Sequence, residues 1–443
     1  MKLNDITQHE IEALKHVYNV SDAHTHQSQS NTQRTIVERL PELWYESEQT
    51  RQYDMEQKFL NNFFRVRKQP VAMRNNNSLL VYAASIAMAI AANYLMKKRM
   101  TVGLLHPCFD NIVDLLKHME VPLKPVEEQW FHDPSKIYEN LDKHIDSDSI
   151  FIVDPNNPTG FTLFDFGREG WKELIRFAKD RKKLLIFDFC FASFLLSHKT
   201  IELFDVYEML EDSGVSYIAM EDTGKTWPLQ DAKAAILKTS ADIYDDIYAI
   251  HTAYLLNVSP FILNVLTQYV VDSEADNFAS VTDLLERNRH VAERILSGSL
   301  LEPLDPIARV SVLWCKITDP TVTATSLKQH LTEYGIHLLP GTYFYWADKA
   351  GGERFVRIAL ARNTEVFAPA MHLLRTALDG YGQRKIGDGA RHLAHSGHEA
   401  ETAYITNLEQ TTFLDLKEIN TFVRSRRLVQ GEAEVTVGDE AAA

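Results

Sequence analysis

The sequence predicts an α/β fold built on a mostly parallel sheet. Three observations carry that expectation. Short apolar runs alternate with helical patterns from Thr101 to Ser240. Turn-forming and chemically active residues cluster just after several of those runs. A smaller set of strand and helix patterns follows near residue 310. Apolar strands joined by helical crossovers are covered on both faces and run parallel. Such sheets bind ligands at the carboxyl ends of their strands.

The strands are expected at Val102–Leu105, Leu123–Val126, Ile150–Val153, Leu184–Phe187, Tyr217–Met220 and Ala234–Leu237. Trp171, Leu174, Ile175 and Ala178 recur at helical spacing between two of them. The polar punctuation consists of His106-Pro107-Cys108-Phe109, the run Asp154-Pro155-Asn156-Asn157-Pro158-Thr159-Gly160, Asp188 and Lys225. Residues 1–20 read as an amphipathic helix with Ile6, Ile11, Leu14 and Val17 on its apolar face. Lys15 to Ser21 do not read as a buried strand. Residues 34–68 look helical, and Leu79–Leu95 reads as a buried helix opened by small residues near Ser85. A long charged helix over 277–299 links to a smaller α/β domain. Its elements are a strand at Val310–Cys315, a helix at Thr325–Tyr334, an extended Ile336–Leu339, a strand at Phe355–Leu360 and a helix at Thr364–Leu378. Beyond Tyr381 the chain turns polar, with a helical pattern from Glu399 to Val429 and an acidic tail expected to be disordered. His392, His395 and His398 read as part of a linker. The expected division is 1–35, 36–280, 281–380 and 381–443.

Composition narrows the partners. The 443 residues carry 46 basic and 61 acidic side chains, a net charge of −15. That balance argues against nonspecific nucleic-acid binding and leaves room for a cationic small molecule. Cys108, Cys190 and Cys315 are an odd, scattered set rather than a disulfide framework. The first residues lack a basic-then-apolar pattern, so a cytoplasmic protein is expected. The Leu79–Leu95 run includes Asn93 and is at the short end for a membrane span.

Lys225 follows a strand in the turn Glu221-Asp222-Thr223-Gly224-Lys225-Thr226-Trp227. It is either a solvated loop lysine or an amine placed to form a Schiff base with an aldehyde. The helix start near Ser85 either carries an ordinary cap or binds a phosphate through its free N–H groups. Asp22-Ala23-His24-Thr25-His26 has two readings, a polar loop or the metal pair of a barrel hydrolase. A barrel would need further strand–helix units that the chain does not show.

Taken together, Asp154–Gly160, Asp188, Lys225 and Arg357 resemble the signature of fold-type I pyridoxal phosphate (PLP) enzymes, the class I/II aminotransferase family. The resemblance spans about residues 75–380. It implies a seven-stranded-type sheet in a large domain, a smaller domain and a homodimer. It assigns Lys225 to the cofactor aldehyde, Asp188 to the pyridine nitrogen, Asn157 to the ring hydroxyl, Phe109 to the ring face and the Ser85 helix start to the phosphate. Arg357 would clamp the substrate α-carboxylate.

Departures from that pattern narrow the expectation. Asp222 stands where the family usually has a phosphate-binding serine, and a carboxylate cannot donate to a phosphate. Lys233 replaces the usual arginine, Thr223 is the substitute hydroxyl, and Phe191 replaces a tyrosine. Thr7, Glu10, Asp22 and His24, with Asp222, resemble a smaller group of PLP enzymes acting on L-arginine. That group contains the O₂-dependent arginine oxidases/hydroxylases of enduracididine-type antibiotic biosynthesis and the cyclases that form capreomycidine from hydroxyarginine. The likeness implies an N-terminal lid, with Thr7, Glu10, Asp22 and Asp222 toward the substrate and His24 in the chemistry. It leaves open oxidation, cyclisation and ordinary transamination, and implies no bound metal.

Overall fold

The computed structural model describes residues 6–384, with the side chain of Thr7 among the few left undescribed within that span. The expectations for residues 385–443, including the three histidines and the acidic tail, lie outside the described residues. Residues 6–384 belong to one compact unit that holds both main sheets.

The larger sheet has seven strands in the order Ser78–Val81, Ala235–Thr239, Tyr217–Asp222, Leu184–Asp188, Ser149–Val153, Val102–His106 and Leu123–Glu127. All six expected strands are present. Six of the seven run parallel, and only Ala235–Thr239 is antiparallel to its neighbours. The four strands Val102–His106, Ser149–Val153, Leu184–Asp188 and Tyr217–Asp222 are buried at every position. Strands covered on both faces read as continuous apolar runs, and these do.

The edge strand Ser78–Val81 corrects one expectation. The apolar run from Leu79 is not a single helix. Its first three residues pair with Ala235–Leu237, and the helix begins only at Ala84. A short apolar run carries no period that separates strand from helix, so pairing decides. The expected 34–68 helical region is three helices, Asn31–Glu38, Leu40–Gln49 and Gln52–Val66.

The smaller sheet is antiparallel, ordered Leu339–Pro340, Phe355–Ala359, Val312–Ile317, Leu301–Pro303. Arg357 is central in it, facing Trp314 on one side and Leu339 on the other. The helices Ala279–Leu296 and Thr364–Arg384 pack together beside it.

The N-terminus differs most from its expectation. Helix covers Ile6–Ala13 only, and Tyr18–Asn19 then pairs in parallel with Ile336–His337. Val20 N–H extends the pairing by donating to the His337 carbonyl at 2.9 Å. Within the stretch that did not read as a buried strand, Tyr18–Asn19 is a short one. The expected apolar face is also displaced: Ile11 and Leu14 are 56% and 53% exposed, whereas Glu10 and Ala13 are buried. Among the described residues, no helix is long and apolar enough to cross a membrane.

Candidate active site

The site lies at the carboxyl ends of the parallel strands. A cavity of about 210 Å³ is lined by residues from six separate stretches. Glu10 and His24 come from the N-terminal segment, and Ala83, Ala84 and Ser85 from the start of a helix. Phe109 follows the Val102–His106 strand, Pro155 and Asn157 follow Ser149–Val153, and Asp188, Cys190 and Phe191 stand at the end of Leu184–Asp188. Asp222, Gly224, Lys225 and Lys233 complete the wall from the connection to the antiparallel strand.

Each part has a local reason. Side chains alternate along a strand, so Glu221 and Asp222 point to opposite sides. Glu221 is buried against Arg67, whose Nε donates to it at 3.3 Å, and Tyr207 donates to its other oxygen at 3.2 Å. Arg67 Nη1 also donates to the Ala192 carbonyl at 3.0 Å, joining two strand ends beneath the cavity. Asp222 reaches the cavity and accepts the Gly224 N–H at 3.1 Å. A Cβ on Gly224 would stand 2.6 Å from Cδ of Lys233, so glycine makes room for that lysine beside Lys225.

The Asp154–Gly160 loop is held from below. Asp154 is fully buried, accepts from Thr162 Oγ1 and from the Leu163 N–H, and burial pushes it up to about 7. Glu128 accepts from Asn156 Nδ2 at 2.6 Å and from Thr159 Oγ1 at 2.5 Å. Asn157 Oδ1 accepts from Arg357 Nη1 at 3.2 Å, which leaves its Nδ2 as the donor for a ligand.

The residues fit pyridoxal phosphate. The helix Ala84–Lys98 starts at the cavity with no side-chain cap, so its first N–H groups face that space. The capping alternative is thereby set aside. Lys233 adds a positive charge. Burial raises Asp188, and nearby Asp222 raises it further, while hydrogen bonds from Cys190 and the charge of Lys225 pull it back. A buried carboxylate so placed is matched by a ring N–H⁺.

Three expected residues are not on the cavity wall. Thr223 Oγ1 donates to the Ala234 carbonyl at 2.8 Å and accepts the Ala234 N–H at 2.9 Å, so its hydroxyl is spent on the turn. Asp22 accepts from Asn19 Nδ2 at 2.6 Å, His26 Nε2 at 2.8 Å, Arg362 Nη2 at 2.9 Å and the His24 N–H at 3.1 Å. Burial alone would raise Asp22, but His24, His26 and Arg362 hold it well below the usual carboxylate range. It is a strut for the segment, with its oxygens already used. Arg357 is fully buried behind Glu10 and Asn157. His24 and His26 both lean on Asp22, with Nδ1 of His24 at 3.3 Å. The helix of Thr7 is described, its side chain is not.

Arg362 and Cys190 belong to the site's surroundings without having been marked in the sequence. Arg362 donates to the carbonyls of Asn19, Asp22 and His24 as well as to the Asp22 carboxylate. Nothing local marks it apart from its place after the Arg357 strand. Cys190 was easier to find, because it lies two residues beyond Asp188, just past a strand exit. It is half-buried in the cavity wall, where desolvation together with Asp188 and Asp222 pushes its thiol well up.

A cavity lysine, a buried carboxylate and an open helix start at the end of a parallel sheet fit an enzyme that works with pyridoxal phosphate. The profile of the aminotransferase class I and II family matches residues 45–371, and the chain belongs to that family. Its cofactor is pyridoxal phosphate. Among solved structures, MppP soaked with the product 2-ketoarginine is similar, with 32% identity over 82% of this chain and 99% of that one, at a TM-score of 0.73. LysN, the α-aminoadipate aminotransferase of Thermus thermophilus, shares 14% identity over 85% and 95% of the two chains, at a TM-score of 0.69. The histidinol-phosphate aminotransferase of Clostridium acetobutylicum shares 14% over 81% and 99%, at 0.61. The last two show the fold alone. Comparison with curated proteins finds no match.

Proposed function

We propose that this enzyme oxidises free L-arginine, with O₂ as the electron acceptor. The products would be 2-oxo-5-guanidinovalerate or its 4-hydroxy derivative, released with ammonia as water supplies the oxo oxygen, or a dehydroarginine, in each case with hydrogen peroxide. The observation that carries this reading is the pair of carboxylates, Asp222 and Glu10, on the wall of the cofactor cavity. Asp222 stands beside the Schiff-base lysine although it faces the same cavity as the phosphate site. A carboxylate in that position is matched by a cationic side chain, and guanidinium groups pair well with carboxylates. The likeness to MppP, solved with 2-ketoarginine, supports the same substrate class.

Bound pyridoxal phosphate supplies an electron sink for the substrate α-carbon. Lys225 moves the proton at that carbon. Asp188 keeps a proton on the ring nitrogen. Arg357 receives the substrate carboxylate, and Asp222 faces the guanidinium. His24 has its Nδ1 set by the Asp22 carboxylate, which leaves Nε2 to take or give a proton near the substrate side chain. The N-terminal segment excludes water from that step: Thr25 Oγ1 donates to the Trp227 carbonyl at 2.8 Å and so fastens the segment to the lysine turn. As in the rest of its family, a homodimer is the proposed working form.

The deciding experiment measures dissolved O₂ with holoenzyme and L-arginine, and identifies products by mass spectrometry. Uptake that stops when arginine is exhausted is expected. No uptake, with amino transfer to an added keto acid, would overturn the oxidase and leave a transaminase. No uptake with turnover of a hydroxylated arginine would instead favour cyclisation. In Asp222→Ser, L-arginine should bind at least about tenfold more weakly with the cofactor retained. Loss of the cofactor first would give Asp222 a cofactor role.

A further inference from the structure

The carboxylate-binding arginine is already holding a carboxylate. Arg357 Nη2 donates to Glu10 Oε1 at 2.9 Å and to the Ser21 carbonyl, and Nη1 donates to Asn157 Oδ1 at 3.2 Å. Its Nε is buried and has no hydrogen-bond partner. The guanidinium stacks over the Phe344 ring, 5.1 Å from its centroid. Arg357 has no exposed surface, and the cavity meets Glu10 and Asn157, both bonded to it, rather than the guanidinium itself. A ligand carboxylate therefore reaches Arg357 only when Glu10 gives up its place.

We infer that Glu10 is a place-holder for the substrate α-carboxylate, and that binding is an exchange of one carboxylate for another. This rests on the reading of an arginine-like substrate. Without substrate, Glu10 keeps the buried guanidinium paired, since an unpaired buried charge is costly. The arriving α-carboxylate takes over at Nη2, with Nε open to give a second, parallel hydrogen bond. Glu10, released but still on the cavity wall, then has a cationic partner only if the substrate carries one. A neutral amino acid displaces Glu10 and leaves it unpaired in a closed site. A basic amino acid supplies the α-carboxylate for Arg357 and a cation for Glu10 together. The exchange therefore selects for substrates with both charges, beyond what either contact selects alone.

The test titrates holoenzyme with three ligands, followed by the absorbance of the bound cofactor. L-Arginine has both charges, L-norleucine lacks the side-chain cation, and agmatine lacks the carboxylate. Glu10→Gln removes the competing charge. L-Norleucine should then bind about tenfold more tightly, the effect of one charge-assisted hydrogen bond lost from the competing state. L-Arginine gains the same release but loses Glu10 as the partner of its guanidinium, so its advantage over L-norleucine should fall at least about tenfold. Agmatine, which leaves Glu10 on Arg357, should change by less than about twofold. Glu10→Asp keeps the charge, and L-norleucine should stay weak. If arginine and agmatine weaken together and norleucine does not change, Glu10 is only a cation ligand and the exchange is overturned. If all three weaken together, Glu10 merely fastens the segment, and the exchange is again overturned. Failure of the arginine reading shows separately, as wild-type enzyme that binds L-norleucine as well as L-arginine.

Discussion

The seven-stranded sheet and the N-terminal segment form two halves of one site by opposite means. The sheet presents Asp188 and Asp222 from strands buried at every position, and Asn157 from the loop after a third such strand. The segment presents Glu10 and His24 from a short helix and a loop; Tyr18, Val20 and Ala23 reach the core, but Ile11 and Leu14 of the helix face solvent. Much of its hold is polar: Arg357 on Glu10, Arg362 on Asp22 and three carbonyls, and Lys328 on His9 at 2.9 Å. Burial of apolar area is non-directional and tolerates no separation from the core. Hydrogen bonds and ion pairs can be exchanged for those of water or a ligand at modest net cost. The difference is the one that the proposed roles, a rigid cofactor platform and an opening cover, require.

Four changes would sharpen or break that contrast. Ile186→Ala, in the middle of the sheet, should cost about 2–5 kcal/mol in denaturant unfolding and move every probe together. A loss below about 1 kcal/mol would mean the sheet is not the stabilising half. Asp22→Ala leaves buried Arg362 without its carboxylate, a cost of about 3–5 kcal/mol where the pair is fully desolvated. Hydrogen exchange should rise over residues 18–29 with the sheet strands unchanged. Acceleration throughout the sheet would show that the two halves are not separable.

Acid should act on the segment before the sheet. His337, paired with the Tyr18–Asn19 strand and stacked 4.0 Å from His16, is lowered to about 4, by burial first and then by His16 and Lys328. Near neutral pH both the docked and the released states carry it uncharged, so it contributes nothing there. Between about pH 6.5 and 4 the released state takes a proton that the docked state refuses, and docking weakens as pH falls. Proteolysis within residues 14–29 should quicken over that window, and His337→Phe should flatten the response. An equal response in His337→Phe would move the acid sensitivity elsewhere. The smallest effect belongs to Ile11→Ser, expected within about 0.5 kcal/mol because the side chain is largely in water. A larger loss would mean that the outer face of this helix is covered in the working protein.

The same contrast explains what could be read in advance. Strands such as Ser-Ile-Phe-Ile-Val at 149–153 are apolar at nearly every position, and only a parallel strand buried on both faces needs that pattern. Lys225, Asp188 and Asn157 stood out because chemistry at strand ends needs those residue types at those places. For the N-terminal segment the apolar period pointed to the wrong face, because its buried face is built around Glu10. The direction of Ala235–Thr239 and the strand at Ser78–Val81 were equally hidden, since pairing partners are not adjacent in sequence.

The sequence by itself determined the parallel α/β platform and placed Lys225, Asp188 and Asp222 at strand ends, because burial period and strand-end chemistry are local patterns. Only the tertiary structure decided that Asp22 is a strut, that Thr223 is spent on its own turn and that Glu10 already occupies Arg357. Each of those roles depends on which donor meets which acceptor across more than three hundred residues, or across a closed turn, and a hydrogen bond leaves no period in the chain.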